Sequence, residues 1–134
     1  MLYMADKSTL LRTFNTLYFQ FLEDLISIFP ENIDIKSSKT FFEITKKANP
    51  SLLIKIWQTY VSGPYGETLA NGDLDYFISK DYSEDLVNLN NAADILKAID
   101  KLRAPIKELS EENKNHSLDY LQKLNKLSYA YSNM

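Results

Sequence analysis

Apolar residues recur every three or four positions along most of this 134-residue chain, which is the spacing that places side chains on one face of an α-helix. The longest such pattern predicts a helix over residues 8–29, which Ser8 or Asp6 can cap and Pro30 ends. Its apolar face is wider than a surface helix needs, so we expect this helix to be central or to face a partner. The residues of this face are Leu10, Leu11, Phe14, Leu17, Tyr18, Phe21, Leu22, Leu25, Ile26, Ile28 and Phe29.

The rest of the pattern predicts shorter helices separated by turns. Residues 31–36 are predicted as a loop, and Asn49-Pro50 is typical of an N-cap followed by a first helical turn. Gly63-Pro64-Tyr65-Gly66 is the clearest predicted break, and Asn71-Gly72 predicts a turn before a helix capped by Asp73. Four shorter helices are predicted at 37–47, 50–61, 67–70 and 74–78, and a fifth begins at Ser83. Asn91 is predicted to cap a helix over 92–103, which Pro105 ends or kinks. The last helix is predicted to begin after a cap at Ser110.

The expected fold is therefore all-α. We predict a single domain over residues 1–134, an irregular bundle of five to seven helices around the long N-terminal helix. Residues 8–61 would form three N-terminal helices, 62–90 an acidic connector that contains the glycines, and 91–134 a C-terminal helical pair.

Composition narrows the chemistry that the chain can carry. It has no cysteine, three glycines and one histidine, so a thiolate nucleophile, a disulfide and a Gly-rich phosphate loop are excluded. A Ser-His-Asp arrangement would have to use His116, which lies in a polar stretch and is predicted to be an exposed surface residue. We therefore predict no enzyme activity and no cofactor.

Charge is small in total, −3, but unevenly placed. Residues 36–55 hold five lysines and one glutamate, whereas residues 67–85 hold six acidic residues and one lysine. Solvated faces are the simplest interpretation, although the two segments could also pair within or between chains or face separate partners. Lys36, Lys39, Lys46 and Lys47 are the candidate phosphate contacts of a less favoured nucleic-acid-binding hypothesis.

The acidic residues are predicted to cap helices and to solvate the surface. Calcium-loop registers that start at Asn71 or Asp73 both fail, because neither supplies the required ligands and glycine. An acid/base pair among Asp81, Glu84 and Asp85 has no visible partner group. No metal site is predicted.

Aromatic residues favour a protein-interaction role, since this class is enriched at interface cores. Phe19, Trp57 and Tyr65 are the candidate partner-binding residues, and Tyr65 is expected at an exposed loop tip. The prediction is a protein–protein interaction or structural module with a protein partner or self-association. The N-terminus lacks a signal-peptide pattern, and acidic residues interrupt the strongest apolar stretch, so we expect an intracellular protein outside the membrane.

Three short sequences carry a resemblance to a group of proteins. The stretch FLEDLISIFP at 21–30, then Asn49-Pro50 and Trp57, then DLDYF at 73–77, resembles small uncharacterised helical proteins of large DNA viruses of algae and amoebae. The resemblance covers roughly residues 10–100. It implies a viral origin and a virion component or a host-directed adaptor, in the host cytoplasm or the virion. It transfers no functional residue.

Overall fold

All regular structure in the described part of the chain is helical, which confirms the predicted all-α fold. The structure is a computed structural model, and it describes residues 6–79 and 93–134. A π-helical turn, Gln58–Ser62, joins the third and fourth helices. The helices are α1 (Lys7–Ile28), α2 (Ile33–Ala48), α3 (Leu52–Trp57), α4 (Gly63–Ala70), α5 (Leu74–Ser79), α6 (Ala93–Asp100), α7 (Arg103–Lys107) and α8 (Glu111–Ser132).

Helix α1 packs against α2, α3 and α8, and lies antiparallel to α8. Its N-terminal Lys7 places its ammonium over the Tyr131 ring near the end of α8, and Phe21 contacts Tyr120 earlier in α8. The Asp6 side chain caps α1 by accepting a hydrogen bond from the Thr9 N–H at 2.7 Å, and this bond lowers the pKa of Asp6. The wide apolar face of α1 is thus buried in the chain's own core, at Phe14, Tyr18, Phe21, Leu22 and Leu25.

Helix α2 begins earlier than the sequence pattern predicts. Asn32 caps it, because its Oδ1 accepts a hydrogen bond from the Ile35 N–H at 3.0 Å. The predicted loop at 31–36 is therefore wrong: Ile35 enters the core, while Ile33 stays exposed. The prediction that Asn49 starts the next helix is also wrong, since Asn49 ends α2 and α3 begins at Leu52 without a side-chain cap.

The predicted break at residues 63–66 is helical. The chain continues from α3 through the π-turn into α4, and the Gly63 N–H donates to the carbonyl of Gln58, five residues earlier. The wider π-turn lies directly before Pro64, whose ring would otherwise clash with a carbonyl of a regular α-helix. The turn that follows is as predicted: Gly72 has φ +84°, and Asp73 Oδ1 accepts from the Tyr76 N–H at 3.1 Å.

The C-terminal part contains the predicted Ser110 cap, which accepts a hydrogen bond from the Asn113 N–H at 3.3 Å. Helix α6 ends at Asp100, before the predicted end at residue 103, and Pro105 lies inside the separate helix α7. The predicted starts at Ser83 and Asn91 lie outside the described residues. In residues 6–79 and 93–134, no helix has the combination of length and apolar character needed to cross a membrane.

Candidate functional site

A groove of about 640 Å³ lies between α1 and α2 and extends to Pro50 after the end of α2. Its apolar floor is Phe19, which follows the fully buried Tyr18 in α1. Successive helical residues diverge by about 100°, so Phe19 turns from the core toward α2 and remains half-buried. The other lining residues are polar or charged: Thr16, Gln20 and Glu23 of α1, and Lys39, Glu43, Lys46 and Lys47 of α2.

The two ends of this groove differ in charge. At one end, the Lys39 ammonium lies 3.7 Å from a Glu23 carboxylate oxygen and 3.8 Å from one of Glu43, so its charge is compensated. At the other end, the Lys46 ammonium lies 5.4 Å from the centroid of the Phe19 ring. Neither Lys46 nor Lys47 forms an ion pair with any residue that the structure describes. The Pro50 end is therefore a cationic site beside an accessible aromatic ring.

The lysine-rich segment does not form a continuous basic surface. Lys39, Lys46 and Lys47 line the groove, whereas Lys36 is exposed in the first turn of α2 and outside it. Glu43 lies one helical turn from both Lys39 and Lys47, so a carboxylate separates these two ammonium groups. The structure therefore groups three of the four candidate phosphate contacts, but with acidic residues between them.

Two of the three predicted partner-binding aromatics are buried, and the exposed loop tip expected for Tyr65 is wrong. Trp57 is 1% exposed and packs against Phe14 and Tyr18, with ring centroids 6.0 and 5.6 Å apart. Tyr65 is 3% exposed and packs against Phe77 at 5.8 Å, because the helical path through residues 63–66 turns it inward. Phe19 alone of these three remains accessible to a partner.

A smaller cavity of about 270 Å³ collects reactive side chains between α1 and α8. The Tyr120 hydroxyl donates a hydrogen bond to Asp24 Oδ2 at 2.5 Å, and this bond raises the pKa of Tyr120 to about 12. A hydroxyl with such a pKa stays protonated at neutral pH and acts as a donor. His116 and Ser117 line the same cavity, but within the described residues no hydrogen bond joins His116 to Asp24 or Ser117. The arrangement therefore lacks the linkage of a catalytic triad.

The pairing of Asp24 with Tyr120 was not predictable from the sequence, because 96 positions separate the two residues. Among the described residues, no group of three or more His, Cys, Asp or Glu side chains is placed to hold a metal ion. Asp73 caps α5, while Asp81, Glu84 and Asp85 lie outside the described residues.

Comparison with known proteins finds no matching protein-family model, no similar curated protein and no similar solved structure. The resemblance to viral helical proteins therefore stays a prediction. The groove between α1 and α2, with Phe19 beside Lys46 and Lys47, is the strongest candidate binding site of the described residues.

Proposed function

We propose that this protein is a non-enzymatic protein-interaction module that binds an acidic partner segment in the groove between α1 and α2. The observation that carries the proposal is the half-buried Phe19 ring beside Lys46 and Lys47, two cations without a described carboxylate partner. A partner that supplies an apolar side chain and a carboxylate complements both features.

Each contact has a physical reason. An apolar side chain placed over Phe19 removes ring surface from water, at roughly 25 cal/mol per Å² of apolar area buried. A partner carboxylate near Lys46 and Lys47 adds an ion pair at the groove rim, which favours rapid association and correct orientation. The last turn of α2 also stabilises these lysines through the helix dipole.

The charge difference along the groove sets the direction of the partner. Glu23 and Glu43 repel a second carboxylate at the Lys39 end, so the partner's acidic residue lies toward Pro50. A uniformly acidic strand, such as a nucleic-acid backbone, would meet both glutamates. The same two ion pairs therefore weigh against the alternative in which Lys36, Lys39, Lys46 and Lys47 contact phosphates.

An unbiased library of displayed twelve-residue peptides tests the proposal. We expect selection on the wild-type protein to enrich peptides that combine Asp or Glu with a large apolar residue. Phe19→Ala and the double variant Lys46→Glu/Lys47→Glu should each lower the affinity for a synthesised copy of a selected peptide by about tenfold, from the loss of roughly 1–2 kcal/mol of binding free energy. The matched charge control is Lys107→Glu, an exposed lysine in α7.

Several results would contradict the proposal. Enrichment of basic peptides, or of none, removes the predicted partner chemistry. Peptides that bind equally to wild type and to Phe19→Ala bind elsewhere. Single-stranded DNA that binds with a steep salt dependence, flattened by the Lys46/Lys47 variant, would favour the nucleic-acid alternative.

The viral resemblance extends the proposal to a virion component or a host-directed adaptor, both of which act by binding other proteins. Mass spectrometry of purified particles and of the infected-cell lysate separates these two roles. We expect the chain in particles for the first role and in the lysate alone for the second.

A further inference from the structure

A second groove, of about 460 Å³, lies between α4 and α8 immediately after the π-turn. One wall presents only small residues, Ser62, Gly66 and Ala70, which are four positions apart and share one face of the helix. The opposite wall is provided by Gln122, Asn125, Lys126 and Tyr129 of α8. This groove lies apart from Phe19 and shares no lining residue with the groove between α1 and α2.

Asn125 lines this groove and has a side-chain hydrogen-bond donor that no described residue uses. The residue is 8% exposed, and its Oδ1 accepts a hydrogen bond from Trp57 Nε1 at 2.8 Å. An indole N–H can only donate, so this bond fixes the amide orientation and turns Nδ2 away from Trp57. Nδ2 forms no hydrogen bond with a described residue, and it remains accessible to solvent.

Gly66 keeps the α4 wall of the groove flat, although the packing of the described residues does not require a glycine there. A glycine inside a helix is less stable than alanine, because it loses more backbone freedom on folding. Among the described residues, a Cβ placed on Gly66 would meet nothing nearer than the Ser62 Oγ at 3.8 Å, so their packing does not require glycine. The bare backbone at Gly66 faces a groove whose other wall includes the exposed ring of Tyr129.

We propose that this groove binds a small aromatic carboxylate. The ligand ring lies between Tyr129 and the flat surface of Gly66, where a planar apolar group fits and a branched one does not. Its carboxylate accepts a hydrogen bond from Asn125 Nδ2 and lies near Lys126, which forms no ion pair with a described residue. Apolar walls with a few convergent polar groups are typical of small-molecule sites.

Benzoate is the probe, because it is the smallest ligand with both required features. We expect a millimolar titration to shift the side-chain NH₂ signals of Asn125 in ¹H–¹⁵N spectra of the full chain. Benzamide and acetate, which lack the negative charge and the ring respectively, should bind at least about tenfold more weakly.

Asn125→Asp is the sharpest variant, since it keeps an oxygen for Trp57 but replaces the donor with a repelling charge. We expect it to abolish benzoate binding, while the Trp57 indole N–H signal shows that the fold is intact. Lys126→Met should weaken binding about tenfold, and its matched control Lys107→Met should not change it. Phe19→Ala should also leave benzoate binding unchanged, which separates this site from the proposed peptide groove.

Should Asn125→Asp fail to fold, Gly66→Leu provides the same test without touching the core. The new side chain starts where a Cβ has room and fills the slot, so binding should be lost while helicity is kept. Absence of any benzoate shift overturns the proposal. It is equally overturned by acetate binding as tightly as benzoate, or by benzoate binding that persists in the folded Asn125 or Gly66 variant.

Discussion

Two tyrosine hydroxyls of this protein show that the same group has opposite effects on stability in different surroundings. The Tyr18 hydroxyl is buried without a hydrogen bond to any described residue, and burial raises the pKa of Tyr18 well above its usual value. The Tyr120 hydroxyl donates to Asp24. A buried polar group without a partner costs free energy, whereas a hydroxyl that donates to a carboxylate, even near the surface, stabilises the fold.

Replacement of Tyr18 by Phe should therefore stabilise the protein. The variant keeps the ring, which packs against Phe42 and Trp57 with centroids 4.9 and 5.6 Å away, and removes only the hydroxyl. We expect the free energy of unfolding to rise by about 1 kcal/mol, the low end of the cost of an unpartnered buried group. Urea denaturation measures it, and a decrease of that size would show that the hydroxyl has a partner.

Replacement of Tyr120 by Phe should instead lower the free energy of unfolding, by an amount that depends on pH. The pKa of Tyr120 rises from 10.0 in the unfolded chain to about 12 in the fold, chiefly because of the bond to Asp24. The stability it contributes is thus fully present below pH 10 and is lost as the pH rises toward 12. We expect the variant to unfold about 1 kcal/mol more easily at neutral pH.

The difference between wild type and Tyr120→Phe is the quantity to follow in that experiment, since other groups titrate equally in both. Denaturation curves collected at increasing pH should converge as the pH approaches 12. A constant difference across that range would show that the hydrogen bond does not carry the effect.

At the scale of elements, the helical segment from α3 to α4 depends on contacts with α8. The Ser128 hydroxyl donates to Gln58 Oε1 at 2.8 Å, and Gln122 Nε2 donates to the Leu69 carbonyl at 2.7 Å. With the bond between Trp57 and Asn125, these contacts hold the π-turn against α8. Such tertiary bonds allow a sequence with two glycines and a proline to stay helical.

The two glycines of α4 should respond differently to alanine. At Gly66 the added Cβ has room, and we expect the usual gain of about 0.5–1 kcal/mol for removing a helical glycine. At Gly63 the Cβ would lie 3.2 Å from the Gln58 carbonyl, so crowding offsets that gain. Thermal or urea unfolding of both variants provides the comparison, and equal gains would contradict the close approach at Gly63.

Local signals in the sequence predicted some of the capped boundaries, although Asn49, also predicted to start a helix, ends α2 instead. Asp73 and Ser110 were predicted as caps, as was either Ser8 or Asp6; Asp6, Asp73 and Ser110 each accept the expected backbone hydrogen bond. The Asn32 cap was missed because the alternating Ile33 and Ile35 that follow it are typical of an extended segment. The sequence pattern did not predict the helical path through residues 63–66. The glycines and the proline there disfavour a helix, but side-chain hydrogen bonds to residues about 70 positions away outweigh that local preference.

The candidate sites were predictable only in part, for the same reason. Phe19, Lys46 and Lys47 were singled out from composition and charge, and the packing of α2 on α1 brings them to one groove. The open donor of Asn125 depends on its pairing with Trp57 across 68 positions, which no local pattern reveals.

At the scale of the whole molecule, the wide apolar face of α1 is mostly covered inside one chain, although Ile28 at its C-terminal end is 41% exposed. Helix α8 covers one side of it, while α2 and α3 cover the other. The residues that made the face look too wide, including Leu10, Leu17 and Ile26, pack against the core. The covered part of the face therefore does not require self-assembly, although the sequence alone allowed that interpretation.

We accordingly expect light scattering to give the monomer mass of 15.5 kDa at both low and high salt. A dimer insensitive to salt would contradict this and would need another apolar surface. The candidate is the outer face of α2, where Ile33 and Ile44 are 76% and 64% exposed and lie eleven positions apart, close to three full helical turns. Dissociation of such a dimer by Ile44→Glu, but not by Tyr129→Glu on α8, would place the interface there. A monomer in both salts leaves the groove beside Phe19 open to a foreign partner.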